Sequence, residues 1–284
     1  MTVSSEHMQY AAVRGRPSGP DVPAVVARPG APIGDRLGLV VAVLGASGGA
    51  GASAVSAAVS DVVQLAGYSV LIADTADPVR SGLARAARVD GPVVGVPAPA
   101  ARMRFSWRAQ ALLGRVERVG AVRPTAPSLW WLPDQRSMQL TVVDLDGDAW
   151  QLGSNVRIGA GRWLVMAGCT LLVVRPTVPG LHHAEQVLAC LEPWVLRQVV
   201  KPVAHLVVVG ERKWPPRVAA TAGPRVAQLL GDTIFVPRDS DIAAGGVTAD
   251  VTPPKVRDPF LRLVQRWRAE GALPPDVVPN PVAR

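Results

Sequence analysis

LVVAVLGASGGAGASAVSAAVSDVVQLAGYSVLIADTAD, residues Leu39 to Asp77, is the stretch from which the rest of the chain can be read. The apolar run Leu39 to Leu44 has the length and composition of a buried parallel strand, and the small, glycine-rich segment Gly45 to Ser53 follows it at once. Ala54 to Leu65 carries apolar residues at helical spacing, Gly67 can end that helix, and Ser69 to Ala73 supplies a second apolar strand closing on Asp74. The spacing predicts one βαβ unit of an α/β fold with a glycine loop at its first turn.

Glycines at such a turn let a phosphate approach bare backbone N–H groups, and the helix that follows adds the positive end of its dipole. Ser47, Gly48, Gly49, Ala50, Gly51, Ala52 and Ser53 are therefore the candidate phosphate-binding residues. The competing reading is a tight strand-to-helix turn packed for its own sake.

Aligned on Ser53, Ala46 to Ser53 resembles the deviant Walker A loop of the ParA/MinD ATPases, whose pattern is GKGGxGK followed by Ser or Thr. The glycine skeleton is present and both lysines are absent: Ser47 stands at the signature lysine and Ala52 at the lysine that reaches the β- and γ-phosphates. Aligned on Gly45 instead, the spacing Gly45, Gly49, Gly51 resembles the dinucleotide loop of short-chain dehydrogenases, with Asp74 as a ribose ligand and NAD(P) as cofactor. The loop alone leaves both open.

With 284 residues, 49% of them apolar, and a mean hydropathy of +0.23, the chain can bury the core of one large domain with tails. No apolar run reaches transmembrane length and MTVSSEHMQY lacks the features of a signal peptide, so a cytoplasmic protein is expected. Cys169 and Cys190 have no metal-ligand spacing. The net charge of +8 suits a salt-sensitive contact with DNA or an anionic membrane. Lysine occurs only as Lys201, Lys213 and Lys255, so the basicity is almost all arginine and also fits a compositional habit.

Residues 1–36 and 272–284, rich in Pro and poor in apolar periodicity, are expected to be disordered tails around a domain at 37–271. Within it, Gly91 to Ala101 reads as a loop, Trp107 to Val119 as a short basic helix, and Ser128 to Leu132 as a strand. Leu140 to Asp144 reads as a buried strand ending in acid, which places Asp144 and Asp146 over the glycine loop; a solvated acidic turn is the alternative. A helix is expected over Asn155 to Ala167. The later order is a strand at Thr170 to Val174, a Pro-containing loop and helix, a strand at His205 to Val209, a helix at Val218 to Leu230, the segment TIFVPRDSD at Thr233 to Asp241, and a helix at Pro259 to Glu270.

That order is similar to the ParA/MinD family from Leu37 to Glu270. The dehydrogenase resemblance lacks its Tyr-x-x-x-Lys pair, since neither Tyr10 nor Tyr68 has a lysine four residues on, although a non-catalytic NAD(P) binder stays open. The ParA/MinD resemblance implies a three-layer, doubly wound, mostly parallel sheet of the P-loop NTPase kind, and ATP with Mg as ligands. It implies that Ser53 and Asp144 hold the metal and that Asp77 and Asp144 are the catalytic acids. Departures from the pattern fall on the same site. Asp74-Thr75-Ala76-Asp77-Pro78 carries one extra residue relative to D-x-D-P, and Gly210-Glu211-Arg212 replaces the adenine-side Asn. Each missing charge-assisted hydrogen bond is worth roughly 10- to 150-fold in affinity, so weak ATP binding with little or no hydrolysis is expected. Arg80 and Arg175 lie near the predicted carboxyl edge as the arginines that could substitute.

The resemblance further implies a positioning or scaffolding role, a homodimer, and an unidentified protein partner. The alternative is a DNA- or membrane-binding module at the membrane or nucleoid. Phe260, Leu263, Val264 and Trp267 share one face of the last helix and arginines another, which suits a surface-seeking segment.

Overall fold

Side-chain alternation along the first strand divides the core in two. In β1 (Leu39–Gly45), Val41 and Val43 enter one apolar cluster while Val40, Ala42 and Leu44 enter another. Both sets are buried because helices cover both faces of the strand, which is what an unbroken apolar run demands. The computed structural model describes residues 36–95, 102–117, 137–147, 149–157 and 159–274.

After β1 come α1 (Ala52–Leu65), β2 (Val70–Asp74), β3 (Val93–Gly95), β4 (Arg102–Arg108), β5 (Ala111–Glu117), β6 (Leu140–Leu145), α2 (Ala149–Ser154) and α3 (Arg162–Met166). The second half runs β7 (Cys169–Val174), α4 (Val178–Leu196), β8 (His205–Val209), α5 (Pro216–Ala219), α6 (Pro224–Ala227), β9 (Ile234–Val236), α7 (Ser240–Gly245), α8 (Pro254–Arg257) and α9 (Leu261–Ala269). The described strands form one nine-stranded sheet in the order β3-β4-β5-β2-β6-β1-β7-β8-β9. Only β4 runs antiparallel to its neighbours. The expected three-layer, doubly wound, mostly parallel sheet is present as a single domain.

Two features of this order position a site. The parallel strands β1, β2, β6, β7 and β8 bring their carboxyl ends to one rim, where the crevices of doubly wound sheets open. In addition, β6 lies between β1 and β2, and pairs with both. In the dinucleotide-binding fold of the dehydrogenases the first two strands are adjacent, so the strand order here departs from it.

α1, α8 and α9 pack on the Val41 side with Ile72, Val142 and Val173, and α2, α3, α4 and α6 pack on the Val40 side through Leu152, Trp163, Leu181, Leu191 and Val226. Phe260, Leu263, Val264 and Trp267 of the last helix are all buried in the first of these layers. The apolar face that a surface-seeking helix would need is therefore used up in the core. A charge placed at Trp267 would damage packing rather than report on lipid.

Several elements differ from the sequence reading. Trp107 to Val119 holds no helix among its described residues: β4 and β5 form an antiparallel hairpin that turns at Ala109 and Gln110, with Ala109 at φ 49°. Alternation in RMRFSWR, which buries Met103 and Phe105, won over the helical spacing of Trp107, Leu112, Leu113 and Val116. The loop expected from Gly91 contains β3 at Val93–Gly95. The helix expected over Asn155 to Ala167 is confined to α3, because Gly159 sits at φ 56° and a Cβ on Gly161 would lie 2.8 Å from the Leu152 carbonyl oxygen. The helix expected over Val218 to Leu230 breaks into α5 and α6 at Gly223-Pro224, where proline can only start a new turn. The strand expected at Ser128 to Leu132 lies outside the described residues.

Candidate functional site

The glycine loop leaves β1 at the rim and enters α1 through two left-handed residues, Gly49 at φ 68° and Gly51 at φ 103°. Gly51 is the N-cap, and no side chain caps the helix, so the N–H groups of its first turn are left for solvent or a ligand. A cavity of about 600 Å³ opens over this loop. Every one of Ser47, Gly48, Gly49, Ala50, Gly51, Ala52 and Ser53 lines it, and Asp144, Asp146 and Gly147 close one side. The side under β8 and β9 is mostly apolar: Val209, which packs against Gly51, is followed by Val236, Ile242, Val247 and Val256, with Arg238 and Asp239 beside them. A polar cradle at one end and an apolar slot at the other suit a ligand with a phosphate tail and a flat hydrophobic head.

The acids at the rim are held by the sheet itself. Asp74 and Asp144 are register partners on β2 and β6, and the Thr75 N–H and hydroxyl donate to the Asp144 carbonyl at 3.2 and 2.9 Å. The Asp146 N–H in turn donates to the Thr75 hydroxyl at 2.9 Å, which fixes the loop after β6. Burial pushes the Asp144 carboxyl up to about 7, with the Asp74 charge adding to the rise, while the Ser53 and Ser56 hydroxyls favour its charged form. Burial likewise raises Asp74, against hydrogen bonds from the Ser81 hydroxyl and the Ala76 N–H.

A pH dependence follows. The folded-state value of about 7 lies above that of an unfolded Asp, about 3.9, so the native protein holds the proton longer than the unfolded chain. The stability tied to this group is therefore fully present at low pH and is lost as pH rises from about 4 to about 7. Asp144→Asn removes that dependence. Its stability relative to wild type should climb by a few kcal/mol over this window and level off above it, as read by urea unfolding at a series of pH values.

Of the sequence-predicted acids, Asp144 faces Ser53 in the cavity, whereas Asp77 is not among the lining residues. The Asp77 carboxylate accepts from the Val79 N–H and its carbonyl from Arg80 and Ser81, so it shapes the turn after β2. The extra residue in Asp74-Thr75-Ala76-Asp77 carries it past the rim. Ser53 and Asp144 together offer hydroxyl and carboxylate oxygens, a donor set that fits Mg²⁺ completed by waters and ligand phosphates.

Sequence reasoning did not find Gly82. A Cβ there would lie 2.3 Å from the Ser53 Oγ, so the chain after β2 folds directly onto the loop's hydroxyl. It also did not find what anchors α1 beneath the loop. Asp61, fully buried mid-helix, accepts from the Arg108 guanidinium at the hairpin turn, from Gln64 at 2.6 Å, and from the Thr252 N–H and hydroxyl at 2.6 and 2.8 Å. Arg108 completes the set by donating to the Thr248 and Asp250 carbonyls at 3.1 and 2.7 Å. The visible signal is a lone carboxylate between Ser60 and Val62 on an apolar helix face.

Cations stand around the cavity after β2, after β7 and on α8. Arg80 lines it, 3.5 Å from Asp146. The Arg175 guanidinium, at the end of β7, donates to the Gly48 and Gly49 carbonyls at 2.9 and 3.3 Å, gripping the loop from its carbonyl side. Lys255 pairs at 3.1 Å with Asp239, which lies in the VPxD segment, accepts from the Asp241 and Ile242 N–H groups and caps α7.

A glycine loop between a central parallel strand and an uncapped helix, with β6 and its acid beside it, defines an α/β fold of the P-loop NTPase kind. No protein-family model matches the sequence, and no curated protein matches it. Solved structures do match. MinD in the MinC:MinD cell division complex of Aquifex aeolicus covers 81% of this chain and 96% of its own, at 14% identity and a TM-score of 0.55. A ParA-family ATPase of Chlorobium tepidum covers 80% and 98% at 14% identity and 0.51, and the McdA–ATP complex of Cyanothece covers 84% and 97% at 11% identity and 0.52. The chain has the fold of the MinD and ParA ATPases. Among the described residues no helix is long and apolar enough to cross a membrane.

Proposed function

We propose that this protein binds a nucleotide, ATP in the first instance, weakly and with little or no hydrolysis, and uses the bound state to position or scaffold cellular machinery in the cytoplasm. The single observation that carries the reading is the cavity that joins the glycine loop Ser47 to Ser53 and the uncapped start of α1 to the Ser53 and Asp144 oxygens and to an apolar slot. In it the loop and the helix dipole bind the phosphates, Ser53 and Asp144 hold Mg²⁺, and the base enters between Val209 and Val236. Bound Mg²⁺ would neutralise phosphate charge. No lysine stands at Ser47 or Ala52 to stabilise the charge that develops in phosphoryl transfer, which is mostly positioning and electrostatics.

A partner role is supported by the rim. Val79, Trp150 and Val178 follow the carboxyl ends of β2, β6 and β7 and are exposed, at 85%, 70% and 48%. Apolar side chains around a ligand cavity suit a second copy of the chain or another protein. The similar structures named above include MinD in complex with MinC and McdA with ATP, and the machinery served here would be of the DNA-partition, septum, pilus or secretion type. The functional domain is residues 37–271. Calorimetry with ATP and Mg²⁺ beside a phosphate-release assay tests the reading: ATP binding without turnover is expected. Turnover that Ser53→Ala abolishes would refute the inactive-site reading.

A further inference from the structure

We propose that Arg80 is the phosphate-binding cation of this site, taking over from the β2 side the charge that the glycine loop lacks. The inference rests on the nucleotide reading above and goes beyond it by naming the group that recognises the phosphate tail. Among the described lining residues the cations are Arg80 and Arg238. Arg238 follows β9 and Pro237, at the apolar end. Arg80 stands beside Asp146 and two residues before Gly82, where a Cβ would lie 2.3 Å from the Ser53 hydroxyl, so it sits at the loop end of the cavity. Arg175 is not a substitute, because its guanidinium is engaged with the Gly48 and Gly49 carbonyls and it is not among the residues that line the cavity.

Arg80 is built to change partner. Its side chain is 69% exposed, and its Nη2 lies 3.5 Å from the Asp146 carboxylate, beyond close charge-assisted hydrogen-bond distance. Asp146 is only 13% exposed, but with the guanidinium in solvent a pair at this distance is screened and holds weakly. A phosphate offers the guanidinium two oxygens and more charge than one carboxylate, so exchange of Asp146 for phosphate is favourable. It also leaves the rim better balanced, since Asp144 and Asp146 would otherwise face the anionic ligand together. Affinity should then depend on Arg80 in proportion to the phosphate part of the ligand and not the base.

Calorimetry on the full chain with ATP, inorganic tripolyphosphate and adenosine tests this, using wild type, Arg80→Gln, Arg80→Lys and, as a control for net charge, Arg262→Gln on the outer face of α9. Arg80→Gln should weaken ATP and tripolyphosphate about 10- to 150-fold and leave adenosine unchanged, with Arg80→Lys between. Arg262→Gln should bind as wild type does. Equal ATP affinity in wild type and Arg80→Gln would overturn the assignment while leaving the nucleotide reading intact. An equal loss for ATP and adenosine would overturn it as well, as a general lesion of the pocket. Failure of the wild type to bind any of the three would remove the nucleotide reading and the assignment together.

Discussion

Asp61→Ala is expected to lower the unfolding free energy by about 3–5 kcal/mol, a large share of the roughly 5–15 kcal/mol that holds a domain together. The carboxylate and the Arg108 guanidinium are both fully buried, and every side-chain oxygen and nitrogen of the pair has a partner, on each other, on Gln64, on Thr252 or on two backbone carbonyls. Removing the anion strands a guanidinium in the core. The cost is thus mostly that of an uncompensated charge and not of the pair itself. Replacing both partners, as in Asp61→Leu with Arg108→Met, should recover most of the loss. Urea unfolding of the singles and the double decides it: a single variant within about 1 kcal/mol of wild type, or a double no better than the singles, would show that the network is not what joins α1, the hairpin and the segment before α8.

The second large effect is a gain. Ala52 lines the cavity at the start of α1, so Ala52→Lys is expected to tighten ATP binding by about 10- to 150-fold, the worth of one charge-assisted hydrogen bond. In an Arg80→Gln background the same lysine should restore what that substitution removes, and adenosine binding should be unmoved in both. An Ala52→Lys variant that folds normally and binds ATP no better than wild type would mean that phosphates do not lie against the first turn of α1.

What the sequence disclosed and what it hid follow from how local each signal is. β1, the loop, α1 and β2 were readable because an apolar run, a glycine cluster and a helical repeat lie within 39 consecutive residues from Leu39 to Asp77. The hairpin was not, because Trp107, Leu112, Leu113 and Val116 satisfy a helical spacing as well as a pleated one, and pairing with β2 decides between them. In the site, the loop residues and Asp144 come together on one cavity because strand ends converge on one rim in any sheet of this kind. Asp77 lies outside the cavity lining, and the extra residue in Asp74-Thr75-Ala76-Asp77 is the local sign of it. Gly82 and the Asp61–Arg108 pair stayed hidden because each acquires its meaning only from a neighbour distant in sequence.

The described sheet ends on either flank in a strand of only three residues, β3 on one side and β9 on the other. Few unpaired amide and carbonyl groups are thereby offered to a passing extended chain, and the triplet gives too little length to template a new ladder. A nine-stranded sheet can thus stay discrete in a crowded solution, and self-association, where it occurs, is directed to side chains on the rim rather than to the backbone at the flanks.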